Sequence, residues 1–112
     1  MSTLYSDYTI EQLREELSQL IEKSQKAQQL GEVSKYEIYE RKIQIVSSYM
    51  MNPDQFMPGE VYRLKGDPGY TFEINKVEGI MAWGHRINLL GQKVEQEEAL
   101  PIALLEDKVE KE

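Results

Sequence analysis

The chain contains no cysteine and only one histidine among its 112 residues. The first absence excludes disulfides, iron–sulfur clusters, thiolate zinc sites and a cysteine nucleophile. The second excludes a metal site built from several histidines. Long apolar runs are missing too: none approaches the roughly 20 residues of a spanning helix. The first residues carry no basic start followed by an apolar stretch, so no secretory leader is expected. Together these absences give the expectation of a soluble, cytoplasmic protein with no membrane partner and no cofactor or metal. Positive charge is also scarce. Thirteen Lys and Arg stand against twenty Asp and Glu, net −7. Binding to a nucleic-acid backbone needs a basic face, so that class of partner is disfavoured.

What is present is 40% hydrophobic and 29% charged residues, a globular composition. The acidity is uneven. Residues 1–52 carry net −2, residues 53–92 net −1 and residues 93–112 net −4.

The first half reads as two helices. Thr9-Ile10-Glu11-Gln12 is a capping box, with Tyr8 and Leu13 placed as a hydrophobic staple. Ile10, Leu13, Leu17, Leu20 and Ile21 then recur at helical spacing, continued by Ser24 and Ala27. Gly31 suits the left-handed position beyond a helix end. Ser34-Lys35-Tyr36-Glu37 reads as a second capping box, with Val33 and Ile38 as its staple. This helix is expected to run to about Met51, because Asn52 precedes Pro53. So short a connection favours an antiparallel hairpin. The second helix carries two stripes. Tyr39, Ile43, Val46 and Met50 form one; Ile38, Ile45 and Tyr49 form another. The second stripe needs a cover of its own, from the C-terminal half or from a second copy, and is the candidate homodimer face.

The second half reads as β-structure. Pro53 and Pro58-Gly59 bound a linker, and Glu60 to Lys65 forms a strand. Gly66-Asp67-Pro68-Gly69 is a turn; it lacks the Lys-Ser/Thr that would make it a phosphate loop. Tyr70, Phe72 and Ile74 alternate with polar residues, Glu78-Gly79 turns the chain, and Ile80 to Ile87 returns. An even-length loop puts Tyr70, Phe72, Ile74, Met81, Trp83 and His85 on one face, which is the core. Thr71, Glu73, Asn75, Ile80, Ala82, Gly84 and Arg86 take the other; a three-residue loop would reverse this. Residues 88–97 form a loop and Glu98 to Ile102 a short strand. Leu104 and Leu105 close the end on a helical turn, and Glu106 to Glu112 is a charged tail expected to fray. The expected fold class is α+β. A helical hairpin, residues 1–52, packs as one compact unit on a small SH3-like barrel, residues 53–112.

Several segments resemble the YfhH-like family of small bacterial proteins. They are Glu40-Arg41-Lys42, Asn52-Pro53, Pro58-Gly59-Glu60-Val61-Tyr62, Ala82-Trp83-Gly84-His85-Arg86 and Glu97-Glu98-Ala99-Leu100-Pro101-Ile102. The resemblance covers residues 5 to 107 and implies a helical hairpin followed by an SH3-like barrel. It brings no activity, cofactor or catalytic residue. The loop from Asn88 to Val94, with Leu89 and Leu90, is longer here than in the family pattern.

Candidate site residues are few. Imidazole is the side chain whose unperturbed charge change falls near neutrality, which makes His85 the natural acid–base suspect, though a structural histidine explains it as well. Arg86 could hold a carboxylate or other anion, or simply pair with an acid. Tyr70 completes the candidate binding set. Trp83 could be a stacking platform, but the alternation makes it core. Glu95, Glu97 and Glu98 could recruit a cation, although a solvated acidic run is the plainer reading. Met50, Met51 and Met57 read as core filler. No catalytic motif emerges. The function expected is a non-enzymatic binding or adaptor module for a protein partner. The alternative is a small enzyme or small-molecule binder using His85, Arg86 or a tyrosine in the hairpin–barrel crevice.

Overall fold

A computed structural model describes residues 4–110. The chain is α+β, with two helices and one five-stranded antiparallel sheet. Its contacts divide it into two compact units that meet between Met51 and Asn52.

The first unit begins with a 3-10 turn at Tyr5–Asp7, followed by helix α1, Ile10–Gln29, and helix α2, Val33–Tyr49. The capping box of α1 is in place: Thr9 Oγ1 accepts the Gln12 amide and Gln12 Oε1 accepts the Thr9 amide. At the other end Gly31 takes φ 70°. Its N–H reaches the Gln28 carbonyl, and the Glu32 N–H reaches the Ala27 carbonyl, which is a Schellman closure. That closure explains a departure from the expected second cap. The chain leaves the Schellman motif and re-enters helix at once, with Glu32 as N-cap. Ser34 therefore falls inside the first turn and caps nothing, and Glu32 instead pairs with Lys35.

The two helices run antiparallel, since Ser24 Oγ donates to Glu40 at 2.8 Å and the Tyr5 ring lies 6.3 Å from that of Tyr49. Leu13, Leu20 and Val46 are the buried centre, with Leu17, Tyr39, Ile43 and Met50 packed around them. The first stripe of α2 thus faces α1 as expected. The second stripe is divided. Tyr49 packs into this same cluster, Ile45 is half-buried, and Ile38 is 54% exposed.

In the second unit a 3-10 turn at Pro53–Gln55 leads to β1 (Val61–Leu64), β2 (Tyr70–Glu78), β3 (Met81–Asn88), β4 (Glu98–Pro101) and β5 (Leu105–Lys108). The order across the sheet is β4-β3-β2-β1-β5, so β4 and β5 are its two edges and the sheet is not closed. Leu104 ends a 3-10 turn, as expected, but Leu105 starts a strand. Glu106 to Lys108 are not a fraying tail. They pair with β1, whose outer hydrogen-bonding edge would otherwise be bare.

The faces of the β2–β3 hairpin differ from the simple alternation. The turn, Gly79-Ile80, does have two residues, with Gly79 at φ 56°. But Ile74 lies opposite Gly84 while Lys76 lies opposite Trp83, so Asn75 is an unpaired bulge residue. One extra residue in one strand slips the pairing by one and moves every later side chain across the sheet. Tyr70, Phe72 and Ile74 therefore share their face with Ala82, Gly84 and Arg86, and Trp83 and His85 stand on the opposite face with Glu73 and Lys76. Phe72, Ile74, Ala82, Leu100 and Ile102 are buried, together with Phe56, Tyr62, Leu64 and Leu105. Trp83 is not among them; it is half-buried, with Lys76 Nζ 5.3 Å from its ring centre.

Glu60 joins β5 to β1. Its Oε1 accepts the Met57 N–H at 2.8 Å and the Tyr62 hydroxyl at 3.0 Å, and Oε2 pairs with Lys108 at 2.8 Å. Lys108 first, then the Met57 amide, hold the Glu60 carboxyl below its ordinary value. Burial first, and then Glu60, push the Tyr62 hydroxyl up to about 12. The Glu60 carboxylate likewise raises Lys108. A lowered carboxyl contributes stability that is full above its unfolded value and is lost as pH falls through the folded one. A raised tyrosine or lysine contributes stability that is full below its unfolded value and is lost as pH rises through the folded one. Stability should therefore decline at both ends of the pH range. Glu60→Gln should flatten part of both limbs, seen as urea midpoints measured against pH. An acid limb identical to that of the wild type would refute this role for Glu60.

Candidate functional site

The three candidate binding residues fall into two groups. Tyr70 and Arg86 come together on the inner-face register at one end of the sheet, with the guanidinium 5.7 Å from the ring centre. His85 precedes Arg86 in the same strand and so points to the opposite face. Its Nδ1 lies 2.9 Å from the Val94 carbonyl oxygen, which places the proton on Nδ1 and ties the ring to the loop.

Arg86 is held from two sides. Nε donates to Glu98 at 2.5 Å, and Nη1 donates to Asp67. Asp67 is positioned by the β1–β2 turn, where its N–H reaches the Leu64 carbonyl and its own carbonyl accepts the Tyr70 N–H. Glu98 is positioned by β4, opposite Gly84. One cation between two carboxylates leaves the trio with net −1. Arg86 therefore braces the turn and two strands rather than offering a vacant anion site. The acidic run is dispersed as well. Glu97 accepts from Asn75 Nδ2 at 2.7 Å, and Glu98 belongs to Arg86. Among the described residues no group of three or more acidic or histidine side chains is arranged to hold a metal ion. None of the described helices is long and apolar enough to cross a membrane.

Beside this brace lies an open cleft of about 430 Å³, lined by Arg63, Leu64, Pro68, Tyr70, Leu89 and Glu106 among others. Leu89 brings the turn after β3 to its border. Asn88 Oδ1 accepts the N–H of Leu90 at 3.0 Å and of Gln92 at 2.9 Å. The Asn88 N–H reaches the Gln92 carbonyl and the Gly91 N–H the Asn88 carbonyl, both at 2.9 Å. Leu89 and Leu90 sit at the corner of this turn, 82% and 83% exposed. Read as a loop, 88–97 offers only Glu95 and Glu97 as candidate cation ligands, and neither leucine is among the candidate site residues. The signal is two adjacent leucines between Asn88 and Gly91, where a turn ordinarily carries polar residues.

The comparisons with known proteins agree with the family resemblance. The family model described as "Protein of unknown function (DUF1811)" matches residues 3–106. The chain is 38% identical over 108 residues to the "Uncharacterized protein YfhH" of Bacillus subtilis (strain 168), covering 96% of this chain and 99% of that protein. With nearly its whole length matched by the family model and by that relative, the chain belongs to the DUF1811 family, the family of YfhH.

Proposed function

We propose that this chain is a non-enzymatic binding or adaptor module of the cytoplasm, with an SH3-like barrel as its platform and a protein as its partner. The architectural part is supported by the strand order. An antiparallel meander, β1 to β4, is followed by a 3-10 turn and a last strand that returns to pair with β1. A bulge such as the one at Asn75 bends its strand and increases the local twist, and a small barrel needs curvature of that kind. The functional part is carried by a single observation: Leu89 and Leu90 stand exposed on a turn held by five hydrogen bonds to Asn88, and Leu89 borders a cleft that Tyr70 also lines. Apolar side chains held in water on a rigid support, next to a cleft of mixed character, are what an interaction surface presents.

The test compares tagged wild-type chain with tagged Leu90→Asp in extracts of a bacterium that carries the natural protein. Leu90 is exposed, so the variant should fold. The wild type should retain a protein, an untagged copy of this chain included, that the variant loses. Identical sets from both baits would overturn the proposal.

A further inference from the structure

Side chains hold strand β5 firmly at one end only. Leu105 is buried, and so is Ile102 just before it. Glu106, Asp107 and Lys108 are all exposed, and all three are of types that strands disfavour. The opposite edge strand is different: β4 buries Leu100, and its Glu98 holds Arg86.

The pairing of β5 with β1 is also broken between its two ends. Tyr62 lies opposite Lys108 and Leu64 opposite Leu105, so two steps along β1 answer three along β5. The extra residue interrupts the ladder beside Leu105. On the anchored side of the break, the Lys65 N–H donates to the Leu104 carbonyl at 2.9 Å. On the outer side, the Val109 N–H donates to the Val61 carbonyl at 2.7 Å, and Lys108 pairs with Glu60. Strand β1 stays in place without that outer part, because it pairs with β2 at Val61, Tyr62 and Arg63 and buries Tyr62 and Leu64. An edge segment that brings little apolar surface to the core, beyond an interrupted ladder, is the kind that opens locally.

We infer that residues 106–109 are a hinged strap, which leaves β1 at the break beside Leu105 while the rest of the sheet stays folded, with the Lys108–Glu60 pair as its latch. Release bares the outer hydrogen-bonding edge of β1. It also carries Glu106 away from the cleft that Leu89 borders, so the shape of that cleft depends on whether the strap is closed. This holds whatever the cleft binds.

Amide hydrogen exchange of the full chain, followed residue by residue by NMR, tests it. The reference is Ile74, in the middle of β2, whose N–H donates to the Glu60 carbonyl at 2.9 Å. The Val109 amide should be protected at least about a hundredfold less than that of Ile74, although its hydrogen bond is the shorter. Urea below the unfolding transition should speed exchange at Ile74 and leave Val109 unchanged, because opening the strap exposes little surface and unfolding the sheet exposes much. The Lys65 amide, on the anchored side, should behave like Ile74. Lys108→Ala should speed exchange at Val109 about threefold, the scale of an exposed ion pair. A Val109 amide as protected as Ile74, or as sensitive to urea, overturns the strap. A Lys65 amide that exchanges along with Val109 overturns the hinge beside Leu105. A Lys108→Ala variant with unchanged exchange at Val109 overturns the latch.

Discussion

Gly84→Ala should destabilise the sheet unit by about 3 kcal/mol, the upper part of the range for forcing atoms into a filled site. Gly84 lies opposite Ile74, at the edge of the bulge, on the inner face. A Cβ added there would overlap the Glu73 carbonyl and lie 3.0 Å from the Phe72 ring. Neither neighbour can withdraw cheaply. The carbonyl belongs to the paired strand, and Phe72 has no solvent exposure at all. In a unit of this size the loss should lower the melting temperature by roughly 15 °C. Trp83, the chain's one tryptophan, reports on this unit by fluorescence during urea unfolding. A change within about 0.5 kcal/mol, the level of an innocuous surface substitution, would show that the bend at Asn75 is absent.

The second large effect separates two aromatic residues that simple alternation places together. Phe72→Ala removes a fully buried ring from the inner face and should cost about 3–5 kcal/mol. Trp83→Ala removes a larger ring, but one that is half-buried on the other face and covered in part by the stem and ammonium of Lys76. Its cost should be about 1–2 kcal/mol. Circular dichroism during thermal unfolding compares the two without depending on the indole. Equal costs would return Trp83 to the core and restore the unbulged register.

Both predictions turn on one residue, Asn75, and this shows where sequence reading succeeds and where it stops. The caps and turns of this chain are legible because each is decided within a few residues. Thr9 and Gln12 satisfy each other's amides, Gly31 and Gly79 adopt φ values that suit glycine, and Asp67-Pro68 turns between two alternating segments. Even there a local pattern can be pre-empted. Ser34 has the spacing of an N-cap but loses that place to Glu32, because the preceding helix closes through Glu32 and the next begins immediately.

The candidate site was half legible for the same reason. Tyr70 and Arg86 were singled out from residue type, and they do meet. His85 is singled out as the one imidazole of the chain, and it stands on the face away from Arg86, because neighbours in a strand point apart. Asp67 and Glu98 were read as a turn residue and a member of an acidic run. Only pairing across three strands brings them to Arg86 as its two anchors. The fate of residues 105–108 also depended on distant chain. Nothing in Glu106-Asp107-Lys108 favours a strand, but β1 offers an unpaired edge for them to complete.

By themselves, the residues determined the class of this protein: two capped helices of helical apolar period, then short alternating segments between glycine and proline turns, with no thiol, no histidine cluster and no basic face. Those are properties of composition and of interactions spanning about four residues, so they survive without a partner from elsewhere in the chain. The tertiary structure decided which side of each strand is buried, what Arg86 is for, and that two leucines stand in water beside a cleft. Each of these is set by register. Register depends on hydrogen bonds between residues far apart in sequence, and a single unpaired residue is enough to reverse it.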